Sequence, residues 1–273
     1  MFINFKGTKT YIGTGGKKLE TDKMTICFIH GSGQNHLSFV QQARYFAHKG
    51  YSVIVPDMPG HGFSEGKPLS SIKEQAQWIY DLIKELNVKD IVLLGHSQGC
   101  LVGLELNKLY SEFLKGIIFV AGSNAIPVNQ FLIDLASNNI KKAYQMMITW
   151  GHGKDGAMST GCWPGHSHFG EGFNIMSMNL ESSLKIDLEA CNEYNEGIEA
   201  SKKINIPALA VFAKYDQMTP LKSGKKFVDL IKNCDLHVLD CGHFLQAERP
   251  KELNSIIFSY LKNLKNPKNI NIS

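Results

Sequence analysis

Arginine is nearly missing from this chain. Only Arg44 and Arg249 stand among its 29 basic residues. No run of basic side chains is interleaved with aromatics, so the footprint of a nucleic-acid binder is lacking and no nucleic-acid partner is expected. The formal net charge of +4 is mild. Nowhere does an apolar run approach the roughly 20 residues needed to cross a bilayer, so no membrane span is expected. Met1-Phe2-Ile3-Asn4-Phe5-Lys6 lacks the basic start and long apolar stretch of a secretory signal, which makes a cytoplasmic protein the expectation. The six cysteines, at 27, 100, 162, 191, 234 and 241, include no C-x-x-C pair. Cys27 and Cys100 fall in apolar segments, where a free cysteine packs as a small apolar residue. Reduced thiols are therefore expected rather than disulfides.

The chain does have the material for one large core, with 273 residues of which 43% are hydrophobic. Its organising stretch is Ile91-Val92-Leu93-Leu94-Gly95-His96-Ser97-Gln98-Gly99. Four apolar residues in a row read as a strand buried on both faces. The G-x-S-x-G that follows runs into a helical pattern from Cys100. A serine between strand and helix, with glycine two residues to either side, has the layout of a nucleophile elbow. Buried strands are also expected at 24–29, 51–55, 116–122, 208–213 and 236–239, with a hairpin from 2–5 and 10–12 at the edge. Ile72, Ala76, Ile79, Ile83 and Leu86 mark the clearest amphipathic helix, and a last helix should start near Pro250. Such alternation predicts an α/β fold with a mostly parallel sheet covered by helices on both faces.

With His30-Gly31-Ser32-Gly33 after one strand, Pro59-Gly60-His61-Gly62-Phe63-Ser64 after the next and Gly242-His243-Phe244 after the last, the chain resembles the α/β-hydrolase superfamily over nearly its whole length. The resemblance implies a serine hydrolase with Ser97 as nucleophile, His243 as base and Asp216 as the acid, in the family's order Ser, Asp, His. Asp240 is too close in sequence to His243 to approach its ring from behind, and Gly122-Ser123-Asn124, where some relatives carry the acid, has no carboxylate. The backbone N–H groups of Ser32 and Gln98 would form the oxyanion hole. His96 is read as a packing and hydrogen-bonding residue, His61 as a turn residue.

Between the sixth strand and the seventh the alternation stops. Residues 124–196 are expected to form a helical lid, with helices near 131–136 and 143–148, inserted into a core made of 1–123 and 197–273. This segment holds four lysines against eight carboxylates and a glycine-rich section at 151–172, which reads as a mobile lid attracted to a basic base. Trp150, Trp163 and Phe244 are the candidate substrate-binding residues, suited to an apolar acyl group. His152, Cys162, His166 and His168 are metal-ligand types, but C-x-x-x-H-x-H matches no zinc signature. Neither a metal nor a cofactor is expected. The implied substrate is a small-to-medium apolar ester or thioester. C–C bond hydrolases and perhydrolase-type enzymes use the same constellation, and a non-catalytic ligand-binding member of the fold is the further alternative. Haloalkane dehalogenases and epoxide hydrolases need a carboxylate where Ser97 stands.

Overall fold

The structure is a computed structural model that describes residues 1–154, 156 and 166–265. An antiparallel hairpin, β1 (Phe2–Phe5) and β2 (Thr8–Gly13), forms one edge of an eight-stranded sheet. The remaining strands are β3 (Thr25–Ile29), β4 (Ser52–Pro56), β5 (Ile91–His96), β6 (Leu114–Val120), β7 (Ala208–Ala213) and β8 (Cys234–Leu239). Their order is β1-β2-β4-β3-β5-β6-β7-β8, parallel from β4 to β8. Every residue of β3, β4, β5 and β7 is buried, as runs without alternation require of strands covered on both faces. Edge strand β8 instead alternates between half-buried and exposed residues.

Successive side chains of the central strands point to opposite faces, so Ile91 and Leu93 join one apolar cluster while Val92 and Leu94 join the other. The first is closed by α2 (Ile72–Glu85), α3 (Gln98–Tyr110), α8 (Gly197–Lys202) and α9 (Leu221–Val228); α1 (Val40–His48) and α11 (Pro250–Lys265) cover the second. A short helix, α10 (Leu245–Glu248), precedes α11. No helix among the described residues is long and apolar enough to cross a membrane.

Among the described residues four helices stand between β6 and α8: α4 (Gln130–Asn138), α5 (Ile140–Gly151), α6 (His168–Ser177) and α7 (Glu181–Glu193). They share a small apolar cluster of their own that includes Ile133, Tyr144, Met147, Leu184 and Leu188. The sequence signals α4 and α5 but not α6 and α7. Glycines in α6 read locally as loop, yet Gly172 serves close packing: a Cβ there would stand 3.3 Å from Ile148. Gly151 is tighter still, since a Cβ would reach 2.2 Å from the Phe244 ring. Close approach accounts for these two glycines. At the surface Lys108 meets Glu196 of this segment at 3.6 Å.

Candidate active site

Ser97 stands where β5 turns into α3, with φ 54° and ψ −119°. That conformation is sparsely allowed for a residue with a Cβ and costs about 1–3 kcal/mol. Its neighbours hold it: Ser97 N–H donates to Val120 O at 3.0 Å and Cys100 N–H to Ser97 O at 2.8 Å. The flanking glycines are steric necessities, because a Cβ at Gly95 would lie 2.1 Å from Gly99 O and one at Gly99 2.3 Å from Ile29 O. The turn thereby lifts the hydroxyl off the sheet above the N-terminus of α3, whose dipole favours negative charge.

The loop after β8 carries His243 to the same point. Its Nδ1–H donates to Asp216 Oδ2 at 2.8 Å, which leaves Nε2 as the basic nitrogen. Asp216, just past β7, accepts Met218 N–H and Thr219 N–H on Oδ1, each at 2.8 Å. The Thr219 hydroxyl lies 2.7 Å from Asp216 Oδ2 and 2.9 Å from Ala121 O. Burial pushes the Asp216 carboxyl up, but the charge and hydrogen bond of His243 and the bonds from Thr219 outweigh it, so the group stays below the usual carboxylate range. His243 is fixed through its backbone as well, with N–H donating to Gly151 O at 2.6 Å and its carbonyl accepting from His96 Nε2 at 2.9 Å. His96 has the packing role expected of it; burial and the neighbouring His243 depress its pKa to about 3. Asp240 is exposed and 3.5 Å from Lys214.

Ser97 and His243 line one cavity of about 330 Å³ without a hydrogen bond between them. Such contacts are often long in the absence of substrate. Ser32, from the loop after β3, lines it too. Gly31 passes so close that a Cβ on it would stand 3.1 Å from Ser97 Cβ. The N–H groups of Ser32 and Gln98 have no acceptor among the described residues. Trp150 and Phe244 line the cavity, whereas Trp163 lies outside the described residues. Among the described lining residues there is no lysine, arginine or carboxylate. The described residues also hold no cluster of three metal-ligating side chains. Cys162 lies outside them, and His152 instead stacks on Phe169 at 4.8 Å.

Local reading of the sequence misses Thr219, Asn179 in the link between α6 and α7, and Asp187 in α7. Asn179 Nδ2 donates to Gly33 O at 2.6 Å, and its Oδ1 accepts Gly62 N–H at 2.8 Å. Asp187 is buried against the loop that carries Ser32. A signal for it exists: Leu184, Asp187, Leu188 and Cys191 fall at i, i+3, i+4 and i+7, which places a carboxylate on the apolar face of α7.

Comparison with known proteins agrees with this architecture. The profile of a family described as alpha/beta hydrolase fold matches residues 25–148. "Protein ABHD8" of Bos taurus is 22% identical over 246 residues, covering 87% of this chain and 56% of that protein, so the chain spans about half the length of such relatives. A hydrolase of Burkholderia vietnamiensis, named for 2-hydroxy-6-oxononadienedioate and 2-hydroxy-6-oxononatrienedioate, is 22% identical over 262 residues, with 89% of this chain and 88% of that one covered. Among solved structures, the enol-lactonase from Burkholderia xenovorans LB400 superposes with a TM-score of 0.86 at 16% identity, over 96% of this chain and all of that one. The parallel sheet, the serine turn between β5 and α3 and these matches together show that the chain has the α/β-hydrolase fold.

Proposed function

We propose that the protein is a serine hydrolase that cleaves small-to-medium apolar carboxylic esters or thioesters through an acyl-enzyme. The observation that carries this reading is the strained Ser97 turn opening into one cavity with His243, whose Nδ1–H is held by Asp216. His243 Nε2 takes the Ser97 proton as Oγ attacks the substrate carbonyl. Charge collects on the carbonyl oxygen, where the Ser32 and Gln98 N–H groups stabilise it at the head of α3. His243 then passes the proton to the leaving alcohol or thiol. A water deprotonated by His243 releases the acid and restores Ser97. Asp216 keeps the imidazole in the tautomer these transfers need.

The cavity supports the choice of substrate. Its volume is near the low end of the roughly 300–1,000 Å³ typical of small-molecule sites. Leu132, Met147, Trp150, Leu188 and Phe244 supply apolar walls for an uncharged acyl group. With no lysine or arginine among the described lining residues, the cavity offers a dicarboxylate no salt bridge there and favours an uncharged acyl group. The test is covalent labelling by a fluorophosphonate, read by peptide mass spectrometry, together with turnover of p-nitrophenyl esters of increasing chain length. One label per chain on Ser97, and turnover that peaks at short or medium neutral chains, is the expected result. No label, or a label on another residue, overturns the serine reading. Ring-opened dienedioates turned over faster than every ester would overturn the substrate class alone.

A further inference from the structure

Asp187 is the buried carboxylate of α7, 1% exposed, and three elements of the sheet side converge on it. Gly33 N–H donates to Oδ2 at 2.8 Å. His61 Nε2 stands 3.0 Å from the same oxygen. Gln98 Nε2 reaches Oδ1 at 3.4 Å and the Asp187 carbonyl at 3.5 Å. Gly33 follows Ser32 directly, and Gln98 follows Ser97. One residue of the inserted helices therefore meets the backbone next to Ser32 and the side chain of Gln98, the two residues that bear the proposed oxyanion donors. Resting on the serine-hydrolase reading above, we propose that Asp187 is a positioning residue that holds the Ser32 and Gln98 N–H groups on the oxyanion from the inserted helices.

Hydrogen-bond chemistry explains why a carboxylate stands there. An ionised carboxylate only accepts and offers about four lone-pair directions, enough for all these donors. Its charge is balanced by His61, whose Nδ1 faces Pro59 O at 3.0 Å. The Pro59 carbonyl can only accept, so Nδ1 carries a proton, and a second proton bridges Nε2 and Asp187 Oδ2. Burying such a pair is weak as a source of stability, because desolvation offsets the attraction. Its geometric consequence is larger. With Asn179 Nδ2 on Gly33 O at 2.6 Å, the inserted helices grip both polar groups of Gly33, at φ +65°. Gly31 N–H is held in turn by Gln34 Oε1 at 3.3 Å. The Ser32 N–H is left between two pinned peptides, free to point at the cavity.

The experiment compares D187N with the wild-type chain in three measurements. These are kcat and KM on a p-nitrophenyl ester, affinity for an alkyl trifluoromethyl ketone, and affinity for the matching secondary alcohol. The ketone adds Ser97 Oγ to its carbonyl and places a real oxyanion in the hole; the alcohol fills the same cavity without one. A loosened oxyanion hole should cost about 10–100-fold in kcat, below the 10²–10³ for outright removal of a donor. KM should stay within about threefold, since the lost interaction belongs to the transition state. Ketone affinity should fall in parallel with kcat, and alcohol affinity should hold. Unchanged kcat and ketone affinity in D187N, with only a lower Tm, would overturn positioning in favour of simple fastening. A change confined to KM and alcohol affinity would overturn it in favour of a wall of the pocket. If D187N does not fold, the neutral pair H61Q/D187N is read by the same criteria. Fluorophosphonate labelling of the wild-type chain separates the two proposals: without a label on Ser97 the serine reading fails, whereas a labelled wild type with an indifferent D187N sinks positioning alone.

Discussion

The sheet side and the inserted helices hold their parts of the site by different physical means. Ser97, Asp216 and His243 hang from the ends of β5, β7 and β8, where a ladder of parallel pairing fixes the backbone beneath them. Strain at Ser97 is tolerated because that frame surrounds it on both faces. The inserted helices have a small apolar cluster of their own, and they also grip the sheet side through polar contacts, among them Asp187 on Gly33 and His61, Asn179 on Gly33 and Gly62, Ser183 on Gly60, and Gly151 on His243. The sheet side carries the proposed reacting groups; the inserted helices wall the cavity and contact the loops around it. Loss of a reacting group and loss of a wall residue are therefore expected to separate under mutation, the first in kcat and the second in chain-length preference.

The largest expected effect falls on the sheet side alone. Ser97→Ala should lower ester turnover by roughly 10⁶-fold, with thermal unfolding almost unchanged. A loss below about tenfold would break the comparison at its root. Asp216→Asn should lower kcat by roughly 10⁴-fold through the wrong imidazole tautomer, whereas Asp240→Asn, on an exposed side chain, should be near wild type.

On the other side, Ile133→Ala empties a site in the helices' own cluster that is 3% exposed. It should destabilise the protein by about 2–5 kcal/mol in urea unfolding and leave the chain-length preference unchanged. A shifted preference would show that this cluster and the cavity form one packed unit.

Acid and alkali should act on different regions. Burial first, and then a neighbouring histidine, holds His30 near 4 and His96 near 3, against an ordinary 6.5. The unfolded chain binds protons that the folded one refuses, so these two contribute stability above about pH 6.5 that is lost as the pH falls towards their folded values. His61 has the opposite sign. Burial pushes it down, but the charge and hydrogen bond of Asp187 more than restore it, and its pKa is raised. Its contribution is present below pH 6.5 and fades as the pH rises through the folded value. Hydrogen exchange against pH should accordingly show the β3 and β5 amides losing protection in acid and the α7 amides in alkali, with the acid effect on the order of a few kcal/mol. Loss of protection in both regions at the same pH would contradict the separation.

The smallest effect concerns Trp150, half-buried on the cavity wall. Trp150→Ala should shift the ratio of kcat/KM between long and short acyl esters by about tenfold, in keeping with the 1–3 kcal/mol that a few methylenes are worth in an apolar pocket. An unchanged ratio with marked destabilisation would make Trp150 packing only.

Much of the sheet side is written locally. Gly95 and Ser97 are legible because the turn's sterics act within five residues, where a Cβ at Gly95 would strike the Gly99 carbonyl, whereas Gly99 makes room for Ile29 O of the neighbouring strand. Buried parallel strands need apolar runs, so β3, β5 and β7 announce themselves, and the order of Ser97, Asp216 and His243 follows from the order of those strands. Asp187 carries no such local signature beyond its place on the apolar stripe of α7. Its partners Gly33 and His61 are 154 and 126 residues away, and a helix interior says nothing of which loop it will meet. Thr219 is similarly ordinary until Ala121 O and Asp216 come within reach of its hydroxyl. Short-range sterics and the covalent order of strands were thus determined by the amino-acid sequence alone. Which buried carboxylate balances which imidazole, and which glycine yields to which ring, was decided only by tertiary packing, because those choices depend on distances that exist only once the inserted helices have closed over the sheet.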